Sequence, residues 1–217
     1  MTLYLIPGLG FDYRIFEKLE LSNYSVKYLN WIEPEIDETI QHYTARMAEE
    51  IDSNKGDVIL VGHSLGGVVS QEIACILDVK KIFLLSSIRS RAELPTSFKI
   101  IQRLNLQKFF NKDFIIKSHD YWGANYGYKT EEERTLFKDM IGQQSNAYLQ
   151  WALRALSIWQ TPTVPNSTQI IQIHGDQDKT FSVKLLKKPN KIVKGAGHFM
   201  IYQEAGLLSR FIKECLK

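Results

Sequence analysis

Apolar residues recur along this chain with two different periods, and the periods alternate. Short unbroken runs such as Leu3-Tyr4-Leu5-Ile6, Asp57-Val58-Ile59-Leu60-Val61 and Lys81-Ile82-Phe83-Leu84-Leu85-Ser86 have the length and β-branched content of strands buried on both faces. Between them lie stretches with helical spacing. Ile40, Tyr43, Met47 and Ile51 fall on one face of a helix that Asp37 could cap and that runs to about Asp52. A helix around Tyr13 to Leu19, a strand near Ser25 to Leu29 and a helix from Val68 to Leu77 complete the first half. Strand alternating with helix predicts an α/β fold with a parallel sheet.

From about residue 88 to 160 the alternation stops. This stretch reads as helices rich in aromatics and charge: Phe98 to Leu104, a piece near Phe114, Thr130 to Ile141, and Asn146 to Trp159. Thr161-Pro162-Thr163-Val164-Pro165-Asn166 then punctuates the chain. Gln169-Ile170-Ile171-Gln172-Ile173 resumes the strand pattern, Lys191-Ile192-Val193 adds a last strand, and a helix begins at about Glu204. Strands of one sheet flank the helical stretch, so it is an insert in a single domain spanning 1–217 and not a domain of its own.

Composition changes this picture little. The chain has the apolar and charged fractions of a soluble globular protein. Its formal net charge of +3 is spread among acids along the sequence, which gives no nucleic-acid footprint. Lys184, Lys187, Lys188, Lys191 and Lys194 form a local basic stretch, read as solvated surface. Cys75 and Cys215 fall in predicted helices without metal-ligand spacing, which suits a reduced, buried or half-buried pair in a cytoplasmic protein. No run approaches the length of a membrane span, and the first residues lack the pattern of a signal segment.

Candidate chemistry centres on Gly62-His63-Ser64-Leu65-Gly66-Gly67, which follows the Val58 to Val61 run without a gap and precedes a helix. A strand, a sharp G-x-S-x-G turn and a helix form the context of a nucleophile elbow, with Gly62 and Gly66 leaving room on either side of Ser64. A serine hydroxyl needs a base, and the base an orienting acid. Both should come from the ends of later parallel strands. His174-Gly175-Asp176-Gln177-Asp178 and Gly195-Ala196-Gly197-His198-Phe199 occupy those places. Asp176 is the competing acid, better suited to bonding turn amides. The position after the preceding strand holds Ser86 and Ser87, with no carboxylate before Glu93. His63 and His174 flank the motifs and read as packing behind the site. His42 and His119 have no partner pattern, and nothing resembles a zinc set.

The elbow, the H-G-x-x-D turn and the G-x-G-H-F turn together resemble the α/β-hydrolase superfamily, of the esterase, lipase and thioesterase kind. The resemblance covers nearly the whole chain, and the insert occupies the place of that family's cap. It implies a three-layer α/β/α sandwich of about six mostly parallel strands, ordered second-first-third-fourth-fifth-sixth. It also implies that Ser64 is the nucleophile, His198 the base and Asp178 the orienting acid. The chain starts at the strand that usually comes third, so the usual antiparallel edge pair is not expected.

An oxyanion hole would use the Leu65 amide at the start of the elbow helix. Its second donor would be Leu9, in the loop where the family commonly has His-Gly-x and this chain has Pro7-Gly8-Leu9. The activity implied is cofactor-independent cleavage of a small-molecule ester or thioester. Phe109, Phe110, Tyr121, Trp122, Tyr126 and Tyr128 of the insert read first as core, and those that face the cleft under a cap would favour an apolar acyl or alcohol group. Acyl transfer, C–C bond hydrolysis and cofactor-free haloperoxidase chemistry are alternatives on the same residues, and a non-catalytic ligand-binding protein is the alternative outside enzymes.

Overall fold

The computed structural model describes residues 1–123 and 127–217, with the backbone alone for 120–122. Six strands form one sheet: β1 (Thr2–Ile6), β2 (Ser25–Tyr28), β3 (Val58–His63), β4 (Val79–Leu85), β5 (Gln169–Gly175) and β6 (Lys191–Val193). Every neighbouring pair is parallel, and the order is β2-β1-β3-β4-β5-β6. This is the expected order. β1 and β3 are buried at every position, as central strands covered on both faces must be. The edges are blunted: β2 exposes Ser25, Lys27 and Tyr28, and β6 is only three residues long.

The sheet lies between two helical layers. On one face α1 (Ile40–Ala48) packs on α2 (Leu65–Ile73), which crosses β1, β3 and β4. On the other lie α7 (Met200–Gln203), α8 (Ala205–Cys215) and a single 3-10 turn at Tyr13–Phe16, tied where the Glu20 amide donates to Ser209 Oγ at 2.8 Å. Between β4 and β5 the chain forms α3 (Thr96–Arg103), α4 (Lys112–Trp122), α5 (Glu131–Gly142) and α6 (Asn146–Ile158), close to the segments expected.

Local chemistry corrects four expectations. α1 is capped by Thr39, whose hydroxyl accepts the His42 amide at 3.2 Å, and not by Asp37. Asp37 sits at φ 55°, a left-handed turn that delays the helix by two residues. The helix stops at Ala48, and Ile51 still reaches the core through tighter turns beyond it. Between β1 and β2 the expected helix is reduced to the 3-10 turn, capped by Asp12. Both cysteines are free, but Cys75 is exposed just past the end of α2 and only Cys215 is half-buried.

The tightest crossing joins α2 to β1. A Cβ on Gly66 would fall well inside contact distance of the Ile6 and Pro7 carbonyl oxygens, which the sheet holds in place. Gly206, in the first turn of α8, has nothing within reach. Gly66→Ala should therefore destabilise the protein by about 2 kcal/mol or more through overpacking. Gly206→Ala should be neutral or stabilising by a few tenths of a kcal/mol up to about 1. Urea melts of the two variants check the contrast.

Candidate active site

β3 ends at His63, and Ser64 turns the chain into α2 with φ 52° and ψ −118°. This backbone geometry costs about 1–3 kcal/mol and persists only where its surroundings dictate it. They do so through three hydrogen bonds. The Ser64 amide donates to Leu85 O at 3.0 Å, the Gly67 amide donates to Ser64 O at 3.0 Å, and the buried Ser87 hydroxyl donates to the same oxygen at 2.6 Å. A Cβ on Gly62 would strike the Gly66 backbone, so both elbow glycines are needed for closeness.

The structure brings the three expected side chains together at the carboxyl ends of β3, β5 and β6. His198 Nε2 lies 3.0 Å from Ser64 Oγ, and His198 Nδ1 lies 2.8 Å from Asp178 Oδ2. All three residues are buried, Ser64 at 6% exposure and His198 at 1%. With Nδ1–H donating to the carboxylate, Nε2 presents its lone pair to the serine hydroxyl. That arrangement can take a proton from Ser64 and return it to a leaving group. The competing acid, Asp176, instead accepts the Gly195 amide at 2.7 Å and so fixes the loop that carries His198.

Sequence reading missed how much holds Asp178. Its Oδ1 accepts the amides of Thr180 (2.8 Å) and Phe181 (2.9 Å). Its Oδ2 faces a second imidazole: His174 Nε2 lies 3.1 Å away, and the His174 and Asp178 side chains are both fully buried. His174 Nε2 also donates to Phe181 O at 2.7 Å, which fixes the tautomer with the proton on Nε2. His174 therefore sits on the acid itself and not merely behind the site. The i, i+4 spacing of His174 and Asp178 was the available signal.

Burial pushes the Asp178 carboxyl up, but the imidazole of His198 and the hydrogen bonds from His174 and His198 outweigh it and hold the group well below the usual carboxylate range. His63 behaves oppositely. Burial, aided by repulsion from His198, pushes its imidazole down to about 3, so it stays neutral. Its Nε2 donates to His198 O at 3.1 Å, fastening the elbow strand to the histidine loop.

The loop that carries Leu9 packs on the elbow that carries Leu65. A Cβ on Gly8 would lie 3.0 Å from Ser64 Cβ, so the loop after β1 rests directly against the elbow. Trp31 Nε1 pins that loop by donating to both Gly8 O and Phe11 O at 3.1 Å. Leu65 opens α2, and among the described residues no protein acceptor takes its amide or that of Leu9. The insert closes over this rim. Ile141 of α5 lies where a Cβ on Gly10 would need to be, and Phe137 stands 5.2 Å from Phe11, itself 5.3 Å from the His63 ring. Tyr128 meets Phe199 at 4.9 Å, and Gln203 of α7 donates to Glu133 of α5 at 2.7 Å.

Of the aromatics expected in core or cleft, Phe110 and Tyr128 are half-buried against the core, whereas Phe109 is 70% exposed. Tyr126 and the side chains of Tyr121 and Trp122 lie outside the described residues. His119 is buried, 5.1 Å from the Phe137 ring. His42 does have partners: with Glu35 and Glu38 it brings ligand-type atoms within 4.8 Å of one another. Arg46 already holds Glu38 there through bonds of 2.8 and 2.7 Å, so the cluster is an ion-pair network.

A carboxyl whose pKa is depressed on folding stabilises the protein fully above its unfolded value, about 3.9, and this contribution is lost as pH falls further. Asp178→Asn should accordingly cost about 2–4 kcal/mol near pH 7 by leaving donors mismatched. The gap to wild type should narrow below about pH 4. Chemical denaturation at several pH values checks both the size and the window.

The sequence matches the model of the alpha/beta hydrolase family over residues 3–210. No curated protein matches it. Solved structures share the fold at low identity. A lipase-esterase related protein from Clostridium acetobutylicum has a TM-score of 0.72 at 17% identity, covering 98% of this chain and 93% of that one. An esterase from Exiguobacterium antarcticum has a TM-score of 0.75 at 13% identity, covering 99% and 91%. An epoxide hydrolase from Bacillus megaterium has a TM-score of 0.74 at 14% identity, covering 99% and 93%. Among the described residues no helix is long and apolar enough to cross a membrane. With its sheet order, its elbow and a family match over almost all of its length, the chain belongs to the alpha/beta hydrolase family.

Proposed function

We propose that this protein is a serine hydrolase that cleaves a carboxylic ester or thioester through an acyl-enzyme. The observation that carries the reading is the unbroken line from Ser64 Oγ to His198 Nε2 at 3.0 Å and from His198 Nδ1 to Asp178 at 2.8 Å. His198 takes the Ser64 proton as Oγ bonds to the carbonyl carbon. The Leu9 and Leu65 amides receive the resulting oxyanion. Collapse of the tetrahedral species expels the alcohol or thiol, which leaves with the proton from His198. Water then enters, gives a proton to His198, and releases the acid as Ser64 recovers its own.

The helices between β4 and β5 act as a cap in this reading. Phe11, Phe137, Tyr128 and Phe199 pack ring against ring beside the elbow and the histidine loop, and an apolar acyl or alcohol group would suit such surroundings. The substrate is a small molecule, and the chemistry needs no cofactor. His174 is a positioning residue that keeps Asp178 Oδ2 aimed at His198.

Ser64→Ala should lower turnover of p-nitrophenyl esters by roughly 10⁴-fold or more while the thermal melt is kept. Wild-type protein should take up a fluorophosphonate on Ser64, read by intact mass and peptide mapping. Ester turnover that survives in Ser64→Ala would refute the mechanism. His174→Phe should reduce kcat by roughly 10- to 100-fold with little change in KM, and His174→Gln should recover much of it, because Gln can restore the donor. Equal losses in KM and in both variants would assign His174 to packing alone.

A further inference from the structure

The insert has an outer face that the catalytic reading does not use. Within residues 100–114, five large apolar side chains are exposed: Ile100 (55%), Leu104 (59%), Leu106 (40%), Phe109 (70%) and Phe114 (58%). α3 buries none of its residues fully. It turns Phe98 toward Phe181 and leaves Ile100 and Leu104, one helical turn apart, pointing outward. A run of exposed apolar side chains this dense marks an interaction surface.

Charge accompanies it. Residues 96–118 contain Lys99, Arg103, Lys108, Lys112 and Lys117 against a single acid, Asp113. The five lysines of 184–194 have no acid among them. The two stretches meet in space, because Arg91, Leu94, Pro95, Lys99, Leu185 and Lys187 line one groove. Together they carry ten cations and one anion, a net +9, in a chain whose formal total is +3. The remainder is therefore −6; in space Arg91, Lys99 and Lys187 share one groove, and Lys108 lies in another with Glu35 and Asp37. Among the described residues none of the ten makes an ion pair, although Lys112 Nζ donates to Gly142 O and Lys191 Nζ lies over the Phe211 ring.

We propose that this face, α3 through the start of α4 with the 184–194 segment, docks the protein onto an anionic lipid bilayer. Cations draw the face to the negatively charged headgroups, and Ile100, Leu104, Phe109 and Phe114 enter the boundary between headgroups and acyl chains. A second copy of the chain would bring the same cations against these cations and repel. A nucleic acid would meet the charges but give the aliphatic side chains nothing apolar to enter. Docking this way sets the cap against the membrane. The proposal does not depend on the hydrolase reading, since it concerns binding alone.

Co-sedimentation with phosphatidylcholine vesicles and with vesicles containing one quarter phosphatidylglycerol tests it. Wild type and Ser64→Ala should bind the anionic vesicles alike, at least about tenfold more strongly than the neutral ones, with binding falling as salt rises. The triple reversal Lys99→Glu, Arg103→Glu and Lys187→Glu should reduce binding by about 30-fold or more. Phe109→Asp with Phe114→Asp should reduce it about tenfold or more. All these positions are exposed, and matching thermal melts confirm that the variants fold. Equal binding to neutral and anionic vesicles, or none to either, would overturn the proposal. So would a salt-resistant dimer in sedimentation velocity that Phe109→Asp dissolves, or duplex DNA displacing the vesicles at equal charge.

Discussion

The left-handed backbone of Ser64 is the constraint on which the rest of this structure depends. A residue with a side chain resists that conformation, so the fold must impose it from several directions. β4 imposes it from one side through Leu85 O and the Ser87 hydroxyl. β1 imposes it from the other, because α2 can start where it does only if Gly66 slides beneath the Ile6 and Pro7 carbonyls. The sheet order follows the same demand. With β1 and β4 on either side of β3, both neighbours end beside the serine and their loops can support it.

Support continues outward in a chain of fixed groups. Asp178 is held by two amides and the His198 imidazole, with His174 Nε2 close against the same Oδ2, which restricts its orientation. Asp176 anchors the Gly195 amide, and His63 anchors the His198 carbonyl, so the imidazole between them is held from both ends of its loop. Such preorganisation matters because a hydroxyl placed even slightly out of reach of its base loses most of its reactivity. Buried imidazoles are used here in two ways. His198 faces the Ser64 hydroxyl, His63 donates to a backbone carbonyl away from it, and His174 donates to the Phe181 carbonyl while lying against Asp178.

What the sequence revealed followed from local rules. β1, β3 and β4 were legible because a strand covered on both faces must be apolar throughout, and Ser64 because only glycine tolerates the crowding beside it. Asp178 and His198 were legible from their places after strands. The rest depended on tertiary contact. Asp37 and Thr39 are both good capping residues, and only the left-handed turn at Asp37 decides between them. Cys75 reads as helical and apolar, yet α2 ends one residue before its own cap and leaves the thiol outside. His174 reads as a flanking residue until β5 and its turn are folded, when it reaches the same oxygen as His198. Phe109 has the composition of core and the position of surface, a distinction no window of sequence carries.

α6 has a double attachment with an evolutionary consequence. It is the last helix of the insert, and it also packs on α2 as the crossover that returns the chain to β5. The return to β5 runs through α6 while α5 packs on Gly10 and Phe11, so α3 and α4 are the part of the insert that can vary most without disturbing the order of strands. Selection acting on that part of the insert would leave the supports of Ser64 untouched.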